Sequence, residues 1–379
     1  MGKKIVVAGH VCLDITPIFP EAAACSIQQV LVPGKLVTLN GVDVHTGGVV
    51  SNSGLGLKKL GANVSLMGKV GDDEFGKIIM DIFCKYGVES DMIVSKSERT
   101  SYSIVIALPG TDRIFLHDSG ANDTFGYDDL NFEKLKEADW FHFGYPPIMR
   151  KLYVDQGQEL IKIFEKVKEM GITTSLDMAA VDEMSEVGRV DWKAILKHTL
   201  PFVDFFVPSL EELSFMLDRD LYDSLHNRAG EQDMTLFVKK EEIENLANQC
   251  ILLGAKVVLI KCGAPGMYLK TAGWKVLEKI NHDLMLDLEK WSDISYFEKS
   301  YVPNQVRSAT GAGDTSCAAF LYAVTEGYSW QKCLQLATGT GASCVTQYDS
   351  ISGLESFEKL LKKIEQGWQK QNLTSKIED

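Results

Sequence analysis

The chain has 379 residues, 45% of them apolar and 24% charged, and a formal net charge of −13. This length accommodates two average domains or one large α/β domain. The acidic residues are spread along the chain, which argues against nucleic-acid binding because that function requires a basic face. No apolar run approaches the roughly 18 residues of a membrane span, and the N-terminal apolar stretch is too short for a signal peptide. We therefore expect a cytoplasmic protein without a membrane partner.

In chain order, short apolar runs alternate with stretches in which apolar residues recur every three or four positions, the helical period. The apolar runs lie at 4–8, 62–68, 138–144, 171–177, 203–209 and 255–263. Alternating strands and helices predict an α/β fold with a mostly parallel sheet and helices on both faces. We expect a single domain over residues 1–379.

Two stretches depart from this alternation. Residues 27–46 and 100–117 contain β-branched residues and turn signals with no helix between them. We interpret them as part of a small β lid that comprises residues from about 12–46 and 97–120. The alternative is that they form two peripheral hairpins without a functional role. Residues 218–235, which are polar, and 279–300, which have no clear period, are interpreted as insertions on the surface.

The common nucleotide-binding loops do not match this sequence. Residues 71–78 read GDDEFGKI, which fits GxxxxGK but ends in Ile78, where a P-loop needs a Ser or Thr hydroxyl for Mg²⁺. The first strand–helix turn, GHVCLD at 9–14, has one glycine instead of the three of a dinucleotide-binding turn. We therefore expect neither a P-loop protein nor a nicotinamide or flavin enzyme.

A different anion-binding turn is predicted at residues 310–320, TGAGDTSCAAF. Small residues before a helix leave its first N–H groups unobstructed at the positive end of the helix dipole, where phosphate binds well. Thr310 could cap this helix. The alternative is a purely structural turn, in which Asp314 only stabilises the dipole.

Six further segments precede this turn in a fixed order. The whole set resembles the PfkB (ribokinase-like) family of carbohydrate and nucleoside kinases. The resemblance implies a ribokinase-like three-layer α/β/α fold with a small β lid, and an enzyme that uses ATP and Mg²⁺ to phosphorylate a hydroxyl group. The segments are GHVCLD (9–14), TGGVVSNSGLGLKKLG (46–61), LMGKVGDDEFG (66–76), DSGAND (118–123), VPSLEEL (207–213) and KCGAPGMYL (261–269).

The resemblance assigns chemical roles to the 310–320 turn. Asp314 would be the catalytic base that takes the proton of the attacking hydroxyl. The backbone N–H groups of Gly311, Ala312 and Gly313 would form an anion hole for the transferring phosphoryl group. Phosphoryl transfer depends mainly on positioning and charge stabilisation, so one carboxylate and a few amides meet its demands.

Substrate binding is assigned, by the same resemblance, to residues near the N-terminus. Asp14 would accept hydrogen bonds from substrate hydroxyls, and the alternative for it is a helix cap or turn residue. Gly47 and Gly48 would let the substrate lie against bare backbone. Asn52 would offer a donor and an acceptor to a diol, unless it only caps the helix that follows. We expect His10 to be a packed histidine rather than a ligand.

Nucleotide and metal binding are assigned to residues in the second half of the chain. Glu212 matches a family glutamate that positions Mg²⁺, often through water, although Ser209 replaces the asparagine that usually precedes it. The family usually has Asp-Thr where this chain has Ser308 and Ala309. Because that aspartate lies near a monovalent-cation site in many members, we predict weak or absent K⁺ activation. The nucleotide-binding residues are expected to be Lys261, Gly263, Gly266, Thr310 and Gly341. Lys261 could instead be only a lysine at a strand end, and Gly341 could instead allow close approach to another helix.

Three functions remain open at this point. The favoured one is an ATP-dependent sugar kinase whose lid closes over the sugar, and a nucleoside kinase of the same family is the nearest alternative. Tyr102, Phe115 and Phe125 could supply the apolar slot that a nucleoside base needs. A non-catalytic sugar or nucleotide sensor is favoured by Ser209 and Ser308, and is opposed by the intact Gly-Ala-Gly-Asp. Lids of this family often pair, so a homodimer through the lid is an allowed arrangement.

Overall fold

The computed structural model describes residues 2–20, 30–108, 113–280, 284 and 286–373. Residues 21–29 of the predicted lid, its predicted hairpin loop at 109–112, and residues 281–283 and 285 of the second predicted insertion lie outside this description. The strands are β1 (Lys4–Gly9), β2 (Cys12–Pro17), β3 (Val42–Gly47), β4 (Asn63–Gly71), β5 (Glu89–Ser95), β6 (Tyr102–Ile106), β7 (Ile114–Asp118), β8 (Trp140–Gly144), β9 (Thr173–Asp177), β10 (Phe205–Phe206), β11 (Val257–Lys261), β12 (Gly266–Thr271) and β13 (Ser295–Lys299).

The α-helices of the described residues connect or follow these strands. They are α1 (Gly48–Leu60), α2 (Glu74–Lys85), α3 (Phe132–Leu135), α4 (Gln158–Glu169), α5 (Trp192–Thr199), α6 (Leu210–Leu217), α7 (Arg219–Ala229), α8 (Lys240–Leu252), α9 (Trp274–Leu277), α10 (Leu288–Trp291), α11 (Ala312–Thr325), α12 (Trp330–Cys344) and α13 (Phe357–Glu365). None of these helices combines the length and the apolar character needed to cross a bilayer.

The main sheet has nine strands within the described residues, in the order β13-β12-β11-β10-β9-β8-β1-β4-β5. The strands from β5 to β11 in this order pair in parallel, and β12 and β13 add antiparallel strands at one edge. Helical crossovers between parallel strands place helices on both faces of such a sheet. The predicted α/β class with a mostly parallel sheet is therefore confirmed.

Two hydrophobic cores lie on the two faces of the main sheet. Strand β1 contributes to both, because successive side chains of a strand point to opposite faces. Ile5 and Val7 belong to the core that α1, α11 and α12 cover, whereas Val6 and Ala8 belong to the core under α4 to α8. The strands read as continuous apolar runs since both of their faces are buried.

A second sheet of four strands, in the order β3-β2-β6-β7, comes from the ranges predicted as the lid, 12–46 and 97–120. Strand β2 pairs antiparallel with β3 and parallel with β6, and β6 pairs antiparallel with β7. Asp14 lies in the middle of this sheet, opposite His45 on one side and Ser103 on the other. This small sheet therefore carries two of the predicted substrate-binding residues, Asp14 and Gly47.

The two predicted insertions contain regular structure that the sequence did not reveal. Residues 219–229 form α7, and Tyr222, Leu225 and Ala229 of this helix are buried in the second core. Most of the polar stretch 218–235 is exposed or half-buried, and Tyr222, Leu225 and Ala229, at helical spacing, anchor the buried face of the helix. Within the second stretch, 295–299 form β13, an edge strand of the main sheet.

Candidate active site

Functional side chains meet at the carboxyl edge of the parallel sheet. His10 directly follows β1, Tyr145 directly follows β8, Asp177 ends β9 and Lys261 ends β11. The N-terminus of α11, with Asp314, faces these residues. Ligands of open α/β sheets bind outside this edge, where neighbouring loops diverge.

The turn before α11 has the open backbone that an anion needs. Gly311 has a φ of +69°, and a Cβ on it would lie 2.3 Å from Cβ of Ser350, so only glycine fits. Across the described part of the chain, the N–H groups of Gly311 and Gly313 have no acceptor, whereas Ala312 N donates to the Ala309 carbonyl over 3.2 Å. Two of the three predicted anion-hole amides are therefore open in this state.

Thr310 does not cap α11, contrary to the prediction. Gly311 itself occupies the N-cap position, so the side chain of Thr310 lies outside the helix. Its hydroxyl accepts a hydrogen bond from Nη1 of Arg113 at 2.5 Å and one from the Ser308 hydroxyl at 2.9 Å. The turn is thereby linked to residue 113, which precedes β7 of the small sheet.

Asp314 is 5% exposed and both of its carboxylate oxygens accept a hydrogen bond. Asn52 Nδ2 donates to Oδ2 over 3.0 Å, and the Tyr145 hydroxyl donates to Oδ1 over 2.6 Å. Burial raises the pKa of Asp314, while Lys261 and these two hydrogen bonds oppose the rise. Asn52 is in turn fixed by the Ser350 hydroxyl, which donates to Asn52 Oδ1 over 2.8 Å.

The predicted glycine pair lies beside Asp14 and His10. A Cβ on Gly47 would come within 2.3 Å of the Asp14 carboxylate, and one on Gly48, whose φ is +81°, within 2.5 Å of the His10 carbonyl. Burial raises the pKa of Asp14, and the nearby Asp314 adds to the rise. The glycines thus make room for two polar residues of the chain itself, and they bring Asp14 toward Asn52 and Asp314.

His10 takes part in a polar network rather than in apolar packing alone. It is 1% exposed, and its Nε2 lies 3.3 Å from Nε2 of His117 on β7, whose Nδ1 lies 3.0 Å from the Ser103 hydroxyl. Burial and His117 lower the pKa of His10 well below its usual value. Asn122 fixes the neighbouring backbone, since its side-chain amide donates to the Val11 carbonyl and accepts from the Val11 N–H.

Lys261 forms a buried ion pair with Asp177, with 2.6 Å between Nζ and Oδ1. Burial is the largest single influence on the pKa of Lys261 and lowers it, but Asp177, Glu212 and Asp314 together raise it by more, and the net direction is upward. The second oxygen of Asp177 is buried and has no hydrogen-bond partner among the described residues. A Cβ on Gly313 would lie 3.5 Å from Cδ of Lys261, so the ion pair lies next to the α11 turn.

Glu212 belongs to a capping box at the start of α6. The Ser209 N–H donates to Glu212 Oε2 over 2.7 Å, and the Glu212 N–H donates to the Ser209 hydroxyl over 3.2 Å. One carboxylate oxygen of Glu212 remains outside this box. No group of three or more His, Cys, Asp or Glu side chains in the described ranges is arranged as a metal-binding cluster. A metal here would need ligands from substrate or water.

Two of the other predicted nucleotide-binding glycines, Gly266 and Gly341, lie where a Cβ would clash with a neighbouring element. A Cβ on Gly266 would meet the Glu298 carbonyl at 2.1 Å, where β12 and β13 pair, and one on Gly341 would meet the Ser316 hydroxyl at 2.4 Å, where α12 crosses α11. Gly263, with a φ of +59°, forms the turn between β11 and β12. Packing of secondary-structure elements explains the glycine requirement at 266 and 341.

Sequence reasoning missed four residues of this site: Tyr145, Asp177, His117 and Asn122. Tyr145 and Asp177 stand at the carboxyl ends of apolar strands, a position that does signal a functional edge. Asn122 lies in the quoted DSGAND segment but received no role. His117 carries no signal in the sequence, because its partner His10 is brought to it only by the packing of β7 against the main sheet.

Comparison with known proteins identifies the family. A sequence model of the pfkB family carbohydrate kinases matches residues 3–356. The chain belongs to this family. It is accordingly a carbohydrate kinase, a phosphotransferase with an alcohol group as acceptor, which confirms the resemblance found in the motifs. An uncharacterized sugar kinase of Archaeoglobus fulgidus is 24% identical over 300 residues, which cover 79% of this chain and 98% of that protein.

Solved structures share the fold of this carbohydrate kinase. Arabidopsis thaliana ribokinase complexed with ribose and ATP superposes with a TM-score of 0.69 at 22% identity, covering 96% of this chain and 98% of that one. A candidate ribokinase II from E. coli, in complex with ATP and Mg²⁺, superposes with a TM-score of 0.69 at 20% identity, covering 96% and 99%. The fold is therefore ribokinase-like, as the motifs implied.

Proposed function

We propose that this carbohydrate kinase transfers the γ-phosphoryl group of ATP to a hydroxyl of a small sugar, with Asp314 as the catalytic base. The observation that carries the proposal is the joint position of a buried carboxylate and two open amides. Asp314 lies in the first turn of α11, and the N–H groups of Gly311 and Gly313 lie at the start of the same helix. A base and an anion hole within one turn suit the in-line geometry of phosphoryl transfer.

The acceptor hydroxyl would be held and deprotonated by Asp314. Each of its oxygens accepts one protein hydrogen bond, which leaves a second lone pair for the substrate. Lys261 and the donors from Asn52 and Tyr145 favour the ionised form that can take a proton. The proton moves from the hydroxyl to the carboxylate as the oxygen attacks phosphorus.

The negative charge of the transferring group would be met by the α11 turn. The amides of Gly311 and Gly313 supply fixed donors, and the positive end of the helix dipole adds to them. Ala312 can join the anion hole if its bond to the Ala309 carbonyl opens. Because these groups are preorganised, they do not have to reorient during the reaction.

Mg²⁺ fits this site as a partner of the phosphates. The oxygen of Glu212 that lies outside the capping box would hold the ion through water. When bound, Mg²⁺ neutralises charge on the phosphate oxygens. The nucleotide would extend from the α11 turn toward Lys261, Gly263 and Gly266, with Thr310 and Gly341 on the other side.

We propose that the small sheet is the lid and that Arg113 fastens it. The 2.5 Å bond from Arg113 to the Thr310 hydroxyl joins residues 197 positions apart and connects this sheet to the phosphate-binding turn. A lid in this position excludes water, which would otherwise accept the phosphoryl group. Exposed apolar side chains at Val42, Phe115 and Leu116 support pairing of two lids in a homodimer.

Replacing Arg113 with alanine is expected to lower kcat about tenfold and to raise the share of ATP hydrolysed without sugar phosphorylation, because the lid closes less well. Product and ADP are measured in parallel. Arg99→Ala is the matched control, since Arg99 lies at the base of the lid in an ion pair with Asp118 and is 73% exposed. Equal behaviour of the two variants would reject a fastening role for Arg113.

Activity is expected to be independent of K⁺. Ser308 stands where the family usually has aspartate, and here its hydroxyl is used within the turn, accepting from the Thr310 N–H over 3.1 Å. A neutral hydroxyl supplies far less attraction for a cation than a carboxylate. Initial rates in K⁺ and in tetramethylammonium should agree within a factor of two, and a tenfold stimulation by K⁺ would contradict the expectation.

The function itself is tested by ATP consumption across a panel of sugars and nucleosides. A sugar kinase turns over at least one sugar and forms a phosphorylated product with one ADP per product. Turnover confined to nucleosides would favour the nucleoside kinase, for which Tyr102 and Phe115 on the small sheet could contact the base. Tight binding without any turnover would indicate the non-catalytic sensor.

A further inference from the structure

The residue that follows β8 has an unusual backbone conformation. Tyr145 has φ +72° and ψ +37°, in the left-handed region that large side chains avoid. It also precedes Pro146, and residues before proline favour extended conformations. Its N–H donates to the Asp177 carbonyl over 3.3 Å, which ties the strained residue to the end of β9. Backbone strain of this kind persists where the surroundings impose it, most often at functional sites.

The strained residue directs its hydroxyl to Asp314. The bond from the Tyr145 hydroxyl to Oδ1 is 2.6 Å long, within the range of charge-assisted hydrogen bonds. Burial and the Asp314 carboxylate raise the pKa of Tyr145 well above its usual value, so the phenol stays protonated and acts as the donor. Its ring lies 5.9 Å from the ring of His10, which limits its movement on the other side.

We propose that Tyr145 is the positioning residue of the catalytic base, holding the Asp314 carboxylate in the orientation in which it receives the substrate proton. The inference rests on the proposed function, since it presumes that Asp314 is the base. Tyr145 acts through Asp314 and fixes Oδ1, while Asn52 fixes Oδ2. Two donors from different elements define the plane of the carboxylate, which a single donor would leave free to rotate.

Removing the phenol hydroxyl of Tyr145 should change the pH dependence of the rate. A residue that served only for packing would not have this effect. A hydrogen bond to the charged form of an acid favours that form, so its removal raises the pKa of Asp314 further. Since only the ionised base works, the acidic limb of the rate profile moves to higher pH. The other groups that face Asp314 remain unchanged in such a variant: Lys261, Glu212, Asp177, Asp14 and the thiols of Cys317 and Cys344.

The test measures the single-turnover rate of phosphoryl transfer against pH for Tyr145→Phe. We expect a plateau rate lowered about tenfold, an acidic limb moved upward by about one pH unit, and a KM for ATP within twofold of the parent. Tyr222→Phe is the matched control, because Tyr222 also donates to a carboxylate, Glu183 at 2.8 Å, and neither residue is among the groups that act on Asp314. This control should reproduce the parent profile.

An unshifted acidic limb in folded Tyr145→Phe overturns the inference. The variant Asp314→Asn distinguishes the proposed base from the proposed positioning residue. If Asp314→Asn is active, Asp314 is not the base. If Asp314→Asn is inactive and the acidic limb of Tyr145→Phe is unshifted, only the role of Tyr145 is rejected. If Tyr145→Phe does not fold, 3-fluorotyrosine at position 145 replaces it. Its more acidic phenol donates more strongly, so the limb should move to lower pH, and an unchanged limb again overturns the inference.

Discussion

Asp314→Asn is expected to reduce kcat by about 10³-fold, within the range that general bases contribute. The amide has nearly the same shape as the carboxylate but cannot take a proton, so the reaction loses its base. ATP binding should remain within a few-fold of the parent, because the open amides of Gly311 and Gly313 are untouched. Turnover is measured as sugar phosphate formed, and ATP affinity by calorimetry.

A remote aspartate provides the control for this substitution. Asp191 is the N-cap of α5, where it accepts from the Ala194 N–H over 3.0 Å. Asparagine caps helices about as well as aspartate, so Asp191→Asn should leave both kcat and stability unchanged. A kcat of Asp314→Asn within tenfold of the parent would remove Asp314 from the chemistry, even if the family assignment stands.

Gly311→Ala should damage both stability and catalysis. A left-handed conformation costs a residue with a Cβ about 1–2 kcal/mol, and the new Cβ would lie 2.3 Å from Cβ of Ser350 and 3.4 Å from Cγ of Asn52. Relieving this clash displaces the residues that hold Asp314. We expect the free energy of unfolding to fall by about 2–4 kcal/mol and kcat to fall about 10²-fold through misplacement of the base.

The other end of the same helix offers a matched control. Gly327 also has a positive φ, +75°, but a Cβ on it would have no atom of residues 2–20, 30–108, 113–280, 284 or 286–373 within 4 Å. Gly327→Ala should therefore lower the free energy of unfolding by about 1 kcal/mol and leave kcat unchanged. Urea unfolding and product formation are measured on both variants. If Gly311→Ala and Gly327→Ala lose similar amounts of activity, the loss of kcat results from backbone strain at the ends of α11 and not from displacement of Asn52.

The sequence was sufficient to predict those strands and turns whose characteristic residues all lie within one short segment. Strands buried on both faces read as apolar runs because nothing in them faces water, and the Gly-Ala-Gly-Asp turn combines small residues with the start of an apolar helix. Helix α7 was missed because its buried residues are few and its exposed face is polar. The sequence could not show whether Gly341 is needed for the nucleotide or for a helix contact, because its neighbour Ser316 belongs to another helix.

The sequence by itself determined the α/β class and the family, and it predicted the residues that would accept a proton or bind a phosphate. Only the tertiary structure decided how these residues act together. Asn52 and Tyr145 reach Asp314 across 262 and 169 positions of the chain, and Lys261 finds its charge partner in Asp177 at the end of another strand. Hydrogen bonds and ion pairs act over a few ångströms, so their partners are set by the packing of strands and helices and not by spacing along the chain.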